Sequence, residues 1–272
     1  MNPLPSNAVT GRKILVKLGG TLLDDDGSRD RLAAQISAAG RGGARIVVVH
    51  GGGKQMTRYL AERGVESRFV DGLRVTTPEI VDALLKVFAG TVNHELIASL
   101  NRAGSLAVGL SGIDSFLVEA EQMDPRLGAV GRVTRSNPAL LDILTAQGYL
   151  PVVACVASDR VGAIYNVNGD QMAAACAGAW GAGELIFFTD VEGVLDGQKN
   201  LRGTLTRAEC NAWIEAGVVA GGMRAKLTAA MAALDGGVRQ VRIAPGAAER
   251  VLDRLLDGEP VGTAIVSQES RP

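Results

Sequence analysis

The stretch RIVVVHGGGKQM, residues Arg45 to Met56, joins an apolar run of strand character to three consecutive glycines and a lysine. Glycines between a strand and a helix let backbone N–H groups approach a phosphate, because no Cβ stands in the way. A second apolar run, KILVKLGG from Lys13 to Gly20, also ends in glycines. Two such turns predict parallel strands of an α/β protein, with their glycines at the carboxyl edge of one sheet.

Neither of the two common phosphate-binding patterns fits these turns. The dinucleotide pattern G-x-G-x-x-G needs a third glycine, which KLGGTLL lacks, and an acidic residue where the second strand ends in His50. The pattern G-x-x-x-x-G-K-[ST] fails because Val48 replaces its first glycine and Gln55 replaces the hydroxyl residue that would bind magnesium. The glycines therefore either hold an anion in another way or only turn the chain.

The rest of the chain alternates apolar, strand-like runs with amphipathic helical stretches. The runs include LAVGL, LPVVACV, ELIFFTD and QVRIA, and one long helix is predicted from Pro78 to Arg102. This alternation predicts a three-layer α/β/α sandwich with a mostly parallel central sheet. Residues 116–135 differ, because GAVGRV has the alternating polarity of β-hairpins. We expect residues 116–135 to leave the sheet and to lie over the ligand-binding site at its carboxyl edge.

We divide the chain into three parts. Residues 1–12 contain two prolines and no apolar segment of signal-peptide length, which predicts a loose tail without a targeting sequence. Residues 13–181 are predicted to form an N-terminal lobe and residues 182–272 a C-terminal lobe. The glycines of AWGAGE mark the boundary, since they follow a helix and precede a new strand.

Composition and charge argue against several classes of protein. The 28 basic and 29 acidic residues are spread along the sequence, so no basic stripe suits a nucleic acid or an anionic membrane. The apolar runs are shorter than the ~20 residues that cross a bilayer. The three cysteines, Cys155, Cys176 and Cys210, are far apart and odd in number, which favours reduced thiols in a cytoplasmic protein without a cysteine metal site.

Two lysines strengthen the phosphate-binding interpretation of the glycines. Lys17 stands in the apolar run ILVKLGG, where Val or Ile is usual, so its ammonium would reach the place that the glycine N–H groups face. Lys226 follows two glycines in GGMRAKLTAA, and we place it on the first turn of a helix. Plainer interpretations exist for each lysine alone, because a strand-end lysine can extend to solvent and a lone helical lysine is usually solvated.

Eight motifs occur in the order and approximate spacing of a known family: KLGG, HGGGK, DGLRVT, AGTVN, GYLPVV, YNVNGDQMAA, TDVEGVLD and GGMRAKL. From about Lys13 to Val266 the chain resembles the amino acid kinase family, and most closely those members that phosphorylate N-acetyl-L-glutamate. The resemblance implies an enzyme of arginine biosynthesis that transfers a phosphoryl group from ATP to the γ-carboxylate of N-acetyl-L-glutamate. It also implies Mg²⁺ bound mainly by the phosphates of ATP, no metal site of the protein's own, and a homodimer built across the long helix.

The resemblance implies roles for residues at matching positions. Lys17 and Lys226 would stabilise the transferring phosphoryl group, and Asp170 would hold and orient both. Arg74 would bind the substrate carboxylate that is not phosphorylated. The remaining implied contacts are to phosphate through Gly19, Gly20 and Gly51, to the substrate through Gly52, Gly53 and Asn166, and to the nucleotide through Asp190, Gly193, Val194 and Leu195.

A carboxylate acceptor also agrees with the residues taken without the family. A hydroxyl acceptor usually needs a base, and neither His50 nor His94 has a convincing base arrangement, whereas a carboxylate is already ionised at neutral pH. Plainer roles stay open: Asp170 as a helix cap, Arg74 as a surface residue of a hairpin and Asn166 as a turn former. Two other functions stay open as well, a kinase for an N-modified α-aminoadipate in lysine biosynthesis and a catalytically silent ligand sensor.

Overall fold

The computed structural model describes residues 9–268. Residues 1–8 of the predicted tail and residues 269–272 of the predicted C-terminal lobe lie outside this range. Within it, an eight-stranded sheet carries helices on both faces. The predicted three-layer α/β/α sandwich is confirmed.

The strands of the described range alternate with helices along most of the chain. They are β1 (Lys13–Leu18), β2 (Arg45–His50), β3 (Phe69–Val70), β4 (Leu73–Arg74), β5 (Ala107–Ser111), β6 (Val118–Gln122), β7 (Val130–Ser136), β8 (Leu150–Ala154), β9 (Val156–Ser158), β10 (Ile164–Val167), β11 (Glu184–Thr189), β12 (Thr204–Thr206), β13 (Gln240–Pro245) and β14 (Thr263–Val266).

The helices are mostly short, and one of them is interrupted by a π-helical segment. They are α1 (Gly20–Leu23), α2 (Asp26–Arg41), α3 (Gly53–Ala61), α4 (Pro78–Leu84), α5 (Asn93–Arg102), α6 (Ala139–Ala146), α7 (Gly169–Trp180), α8 (Arg207–Glu215), α9 (Gly221–Asp235) and α10 (Val251–Leu256). The π-helical segment, Leu85–Val92, joins α4 to α5, so the long helix predicted from Pro78 to Arg102 is present.

The central sheet has the order β12-β14-β13-β11-β1-β2-β8-β5. Its neighbouring strands are parallel except for the antiparallel pair of β13 and β14. The chain leaves β1 toward β2 on one side and leaves β11 toward β13 on the other. Such a switch point in a parallel sheet opens a crevice beyond the carboxyl ends of the strands, where ligands bind.

Helices shield both faces of the sheet. On one side α2 packs against α5 and α10, and on the other α7 packs against α9 and β1. Because both faces are covered, the central strands are mostly apolar, as in LIFF of β11, and Lys17 near the end of β1 is an exception. β1 from the predicted N-terminal lobe pairs with β11 from the predicted C-terminal lobe, so the two lobes share one sheet and their division stays a prediction.

Residues 116–135 contribute to a small barrel with the order β10-β7-β6-β9. β6 and β7 form the antiparallel pair that alternating polarity predicts, with a register shift between Glu119 and Ala120. The pairing of β10 with β7 is parallel and joins segments that are distant in sequence. Thr76 connects the barrel to the β3–β4 hairpin: its N–H donates to Leu127 O at 2.9 Å, and its carbonyl accepts from Ala129 N at 2.7 Å.

The β3–β4 hairpin turns through Asp71 and Gly72, whose φ angles are 50° and 79°. Positive φ at both central residues is the geometry of the tight hairpin turn that suits the twist of paired strands, and Asp-Gly is a favoured sequence for it. The turn sends the chain back toward the sheet. It places Arg74 at the carboxyl edge, next to the glycines that follow β2.

Candidate active site

The two glycine turns meet at the switch point of the sheet. A Cβ on Gly20 would stand 3.2 Å from Gly53 N, so the turn after β1 touches the turn after β2. Gly19 donates its N–H to Phe188 O at 3.3 Å, which ties the first turn to β11. That hydrogen bond already occupies the amide of Gly19, and its predicted role in phosphate binding stays untested.

A cavity of about 210 Å³ lies beside the turns. Seven of the predicted site residues line it: Lys17, Gly20, Gly51, Gly52, Gly53, Arg74 and Asn166. The sequence predicted no site role for the other residues of its wall, which are Phe69, Gly72, Leu73, Phe88, Val130, Cys155, Val167, Asn168 and Gly169. Several belong to the quoted motifs, but Phe88, Val130 and Cys155 carry no chemical signal in the sequence.

Asp170 brings the two predicted catalytic lysines together. Its Oδ1 lies 2.6 Å from Lys17 Nζ at the end of β1, and its Oδ2 lies 2.9 Å from Lys226 Nζ on α9. The contact with Lys226 is a hydrogen bond, whereas Lys17 approaches outside good hydrogen-bond geometry and forms an ion pair. The placement of Lys226 on the first helical turn is wrong, because α9 begins at Gly221 and Lys226 lies on its second turn.

The cap of α7 is Asn168. Its side-chain oxygen accepts from Asp170 N at 2.9 Å and from Gln171 N at 3.2 Å. The alternative that Asp170 itself caps the helix is therefore wrong, and its carboxylate is available to the lysines. Gly169 leaves room for this arrangement, since a Cβ there would stand 3.2 Å from Lys17 Cε.

The electrostatics of this cluster favour an ionised carboxylate at Asp170. Burial opposes the ionisation of Asp170, but the charges and contacts of Lys17 and Lys226 outweigh it and hold the pKa of the carboxyl below its ordinary value of 3.8. Burial and the nearby charge of Lys17 lower the pKa of Lys226, and Asp170 and Asp190 oppose that shift. One carboxylate facing two ammonium groups leaves a positive charge of about one for an anionic ligand.

Arg74 is buried on another wall of the cavity. Its guanidinium donates to Ser67 Oγ, to Thr57 Oγ1 at 2.8 Å and to Gly53 O at 3.1 Å, and it lies 4.7 Å from the Phe69 ring centre. Burial lowers its pKa, yet the guanidinium stays charged at any ordinary pH. Arg74 is in a hairpin, as one alternative held, but it is not on the surface.

Asn166 closes the cavity from the barrel side. Its Nδ2 donates to Thr76 Oγ1 at 3.1 Å, and its N–H donates to Ala129 O at 2.9 Å. The residue thus lies in β10 and not in a turn, which makes the turn-former alternative wrong.

The segment predicted for the nucleotide follows β11. Asp190 is exposed, and its charge acts on Lys226. Gly193 has a φ of 154°, and a Cβ there would stand 2.7 Å from Thr263 Oγ1, so packing alone requires glycine at this position. Val194 is fully buried and Leu195 is exposed, so of these two residues Leu195 is the one whose side chain is accessible to a ligand. Nucleotide binding by this segment stays a prediction.

Residues 9–268 show neither a cluster of metal-binding side chains nor a membrane-spanning helix. No group of three or more His, Cys, Asp and Glu side chains in this range is arranged to hold a metal ion. None of the helices described is long and apolar enough to span a bilayer.

Two ammonium groups converging beside glycine turns are what phosphoryl transfer requires of a protein, which supplies mainly positioning and charge stabilisation. The fold and this arrangement place the chain among the α/β kinases. The amino acid kinase family matches residues 12–245, and the chain belongs to it. The resemblance found in the sequence is confirmed.

Individual relatives are similar over almost the whole chain. An acetylglutamate kinase from Solibacter usitatus (strain Ellin6076) is 68% identical over 255 residues, 94% of this chain and 99% of that protein. One from Rubrobacter xylanophilus (strain DSM 9941 / JCM 11954 / NBRC 16129 / PRD-1) is 43% identical, covering 95% of this chain and 98% of that protein. A solved N-acetylglutamate synthase from Neisseria gonorrhoeae, complexed with coenzyme A and N-acetyl-glutamate, superposes with a TM-score of 0.85 at 27% identity, over 97% of this chain but 61% of that one.

Proposed function

We propose that this protein transfers the γ-phosphoryl group of ATP to the γ-carboxylate of N-acetyl-L-glutamate, forming N-acetyl-L-glutamyl 5-phosphate and ADP, an early step of L-arginine biosynthesis. The names of the relatives support this reaction. The observation that carries it in the structure is Asp170, one buried carboxylate that holds Lys17 and Lys226 beside a cavity.

In this reaction a γ-carboxylate oxygen forms a bond to the γ-phosphorus while the bond from that phosphorus to the bridging oxygen of ADP breaks. Negative charge spreads over the transferring group and the leaving oxygen, where Lys17 and Lys226 stabilise it. The acceptor enters as a carboxylate and needs no base. Asp170 keeps both ammonium groups oriented and is not itself protonated.

Arg74 is assigned to the substrate carboxylate that does not react. The residue is a buried cation on a cavity wall, and its contacts with Ser67, Thr57 and Gly53 fix the plane of the guanidinium. A planar guanidinium can bind a carboxylate through two parallel hydrogen bonds, which gives orientation as well as affinity. Because Nη2 of Arg74 already donates to Thr57 Oγ1 and Gly53 O, a carboxylate bound in this way would replace at least one of these acceptors. A substrate with two carboxylates would then present only one of them to the lysines.

Mg²⁺ is proposed to enter with ATP. The described residues contain no group of three or more His, Cys, Asp and Glu side chains that could hold a metal ion. The phosphates of ATP would therefore supply most of the ligands of Mg²⁺. When bound, the ion would neutralise charge on the nucleotide phosphates.

The reaction is tested by trapping an acyl phosphate with hydroxylamine. The protein is incubated with ATP, Mg²⁺ and a panel of acidic amino acids with their N-acyl forms, including N-modified α-aminoadipates. We expect the highest kcat/KM with N-acetyl-L-glutamate. A preference for an aminoadipate derivative would replace the proposed substrate, and the absence of hydroxamate with every compound would favour the ligand sensor.

We further propose a homodimer acting in the cytoplasm, built across the long helix from Pro78 to Arg102. β5 is an edge strand of the central sheet, and α5 packs against it, so the helix and the edge lie side by side. Unpaired sheet edges favour association unless they are covered. Light scattering should give twice the chain mass of 28.2 kDa; a monomer or a larger assembly would contradict the dimer.

A further inference from the structure

His50 is a buried titratable residue that the proposed transfer leaves without a role. It ends β2 directly before the three glycines and is 0% exposed. Its ring Nδ1 lies 2.8 Å from Gly51 O, and its Nε2 lies 2.9 Å from Asn93 Nδ2. Its own carbonyl accepts from the N–H of Cys155 at 3.2 Å and from the thiol of that residue at 2.8 Å. Both the backbone and the ring of His50 are therefore fixed.

The partners of the ring determine its tautomer. A carbonyl oxygen can only accept, so Nδ1 must carry the proton and donate to Gly51 O. Nε2 then carries no proton and accepts a hydrogen bond from the Nδ2 amide group of Asn93. The second N–H of that amide donates to Val152 O at 3.0 Å. Since both neighbours of the amide nitrogen are acceptors, the orientation of Asn93 is fixed as well.

The long helix carries Asn93 and also packs against the glycine turn that follows β2. Asn93 follows the π-helical segment, whose Phe88 and Val92 pack against the turn: a Cβ on Gly52 would stand 2.9 Å from the Phe88 ring and 3.2 Å from Val92 Cγ2. On the other side, a Cβ on Gly109 of β5 would overlap Asn93 Oδ1. Two glycines in different elements thus leave the space that this arrangement needs.

We propose that His50 and Asn93 are positioning residues, which hold the carbonyl of Gly51 away from the cavity and so turn the N–H of Gly52 toward the reacting groups. The carbonyl and the N–H of a trans peptide point in opposite directions, so fixing one fixes the other. Gly51 and Gly52 line the cavity, whereas the imidazole is fully buried behind them. This inference rests on the proposed function, in which the N–H of Gly52 faces the substrate carboxylate and the γ-phosphate.

In phosphoryl transfer, an N–H group held in a fixed orientation stabilises the transition state more than a mobile N–H group does. An N–H group already aimed at developing charge needs no reorganisation when the charge appears. If the peptide between Gly51 and Gly52 were free to rotate, the carbonyl oxygen would at times face the phosphate and repel it. The histidine therefore acts through the backbone and never touches the substrate.

The first test is the tautomer of His50 in the wild-type protein. The chain contains two histidines, so ¹⁵N-histidine labelling gives two imidazole spectra, and a His94→Gln variant assigns them. We expect the His50 ring to carry its proton on Nδ1 at neutral pH. A proton on Nε2 would overturn the proposal, whatever substrate the protein uses.

The second test changes the tautomer through Asn93→Asp. An aspartate cannot donate to Nε2 but can accept from it, so the ring proton should move to Nε2 and the hydrogen bond to Gly51 O should be lost. If the ¹⁵N spectrum shows instead that the ring carries both protons, the hydrogen bond to Gly51 O is kept, and variants of His50 itself replace this test. We expect kcat to fall about 10²-fold, the cost of a small misplacement at a reacting centre. The KM for ATP should change by less than about 3-fold, because the lysines are untouched. An unchanged kcat together with the moved proton would overturn the proposal.

The matched control is Asn101→Asp, the same substitution on the same helix. Asn101 is exposed and accepts from Ala107 N through Oδ1, which aspartate preserves. If Asn93→Asp does not fold, His50→Asn and His50→Ala replace it. The Asn variant can still donate to Gly51 O from a similar position and should recover most of the kcat that the Ala variant loses; equal loss in both would contradict the proposal.

Discussion

Lys226 lies 56 residues beyond Asp170 in the chain, yet its Nζ donates to Asp170 Oδ2 at 2.9 Å. Lys17 approaches the other oxygen of the same carboxylate. Three elements, β1, α7 and α9, thus meet at one buried carboxylate, which pairs with the ammonium groups of both lysines.

We expect Asp170→Asn to lower the free energy of unfolding and to abolish most of the activity. The substitution leaves two buried ammonium groups without a counterion, and loss of one partner of a buried pair costs about 3 kcal/mol or more. The pKa of Asp170 is lowered in the folded state, so its contribution is present at pH 7 and is lost as the pH falls below the ordinary value of 3.8.

Urea unfolding at pH 7 measures this effect. The matched control is Asp142→Asn, which removes the partly exposed ion pair with Lys13 and should change the free energy of unfolding by less than about 1 kcal/mol. Equal effects of the two substitutions would show that Asp170 is not a structural counterion.

Lys17→Ala and Lys226→Ala should each lower kcat by about 10²-fold or more, equivalent to about 3 kcal/mol of transition-state stabilisation. The KM for ATP should rise much less, because the positive charge is needed most as the phosphoryl group detaches. Steady-state kinetics with the acyl-phosphate assay measure both constants. Lys86→Ala removes an exposed lysine paired with Asp82 and serves as the control. A wild-type kcat in either variant would exclude that lysine from catalysis.

The sequence predicts the sheet well because its central strands are buried on both faces and form continuous apolar runs. It cannot predict the π-helical segment Leu85–Val92, since that geometry depends on how Phe88 and Val92 pack against Gly52 of another element. It places Lys226 one turn too early because Gly221 and Gly222 look like a turn before the helix, although they form its first turn.

The part of the site that the sequence misses depends on contacts between distant segments. His50 and Asn93 are 43 residues apart, and their hydrogen bond forms only when the long helix packs against the central sheet, where α5 contacts β5 and β8. The parallel pairing of β7 with β10 is equally nonlocal, so the sequence indicates the β6–β7 hairpin but not the barrel. Lys17 could be predicted because a lysine inside an apolar strand is anomalous in itself.

The stability of the protein should rise with pH between about 4 and 6.5, and His50 should cause this dependence. Burial lowers the pKa of His50 from 6.5 to about 4, so the unfolded chain binds a proton in this window and the folded chain does not. The resulting loss is about 2 kcal/mol between pH 7 and pH 5. Urea unfolding at both pH values should show this difference in the wild type and a smaller one in His50→Gln. Equal slopes would assign the dependence to other groups.

Arg74→Lys should raise the KM for N-acetyl-L-glutamate while leaving the KM for ATP almost unchanged. Lysine keeps the charge but loses the planar pair of donors, and it cannot contact Ser67, Thr57 and Gly53 O together as the guanidinium does. The control is Arg58→Lys, in an exposed ion pair with Asp24, which should leave both constants close to the wild type.

A modified substrate shows whether Arg74 binds the carboxylate that does not react. Replacing that carboxylate by an uncharged amide deletes the proposed contact from the ligand side, and Arg74→Ala deletes it from the protein side. If the two groups pair, the amide should lower kcat/KM strongly in the wild type and only slightly in Arg74→Ala, because the second change removes an interaction that is already lost. If the amide lowers kcat/KM equally in both proteins, Arg74 does not bind this carboxylate. Its buried charge would then serve only to hold the hairpin against Gly53, and substrates with a different second group would have to be considered again.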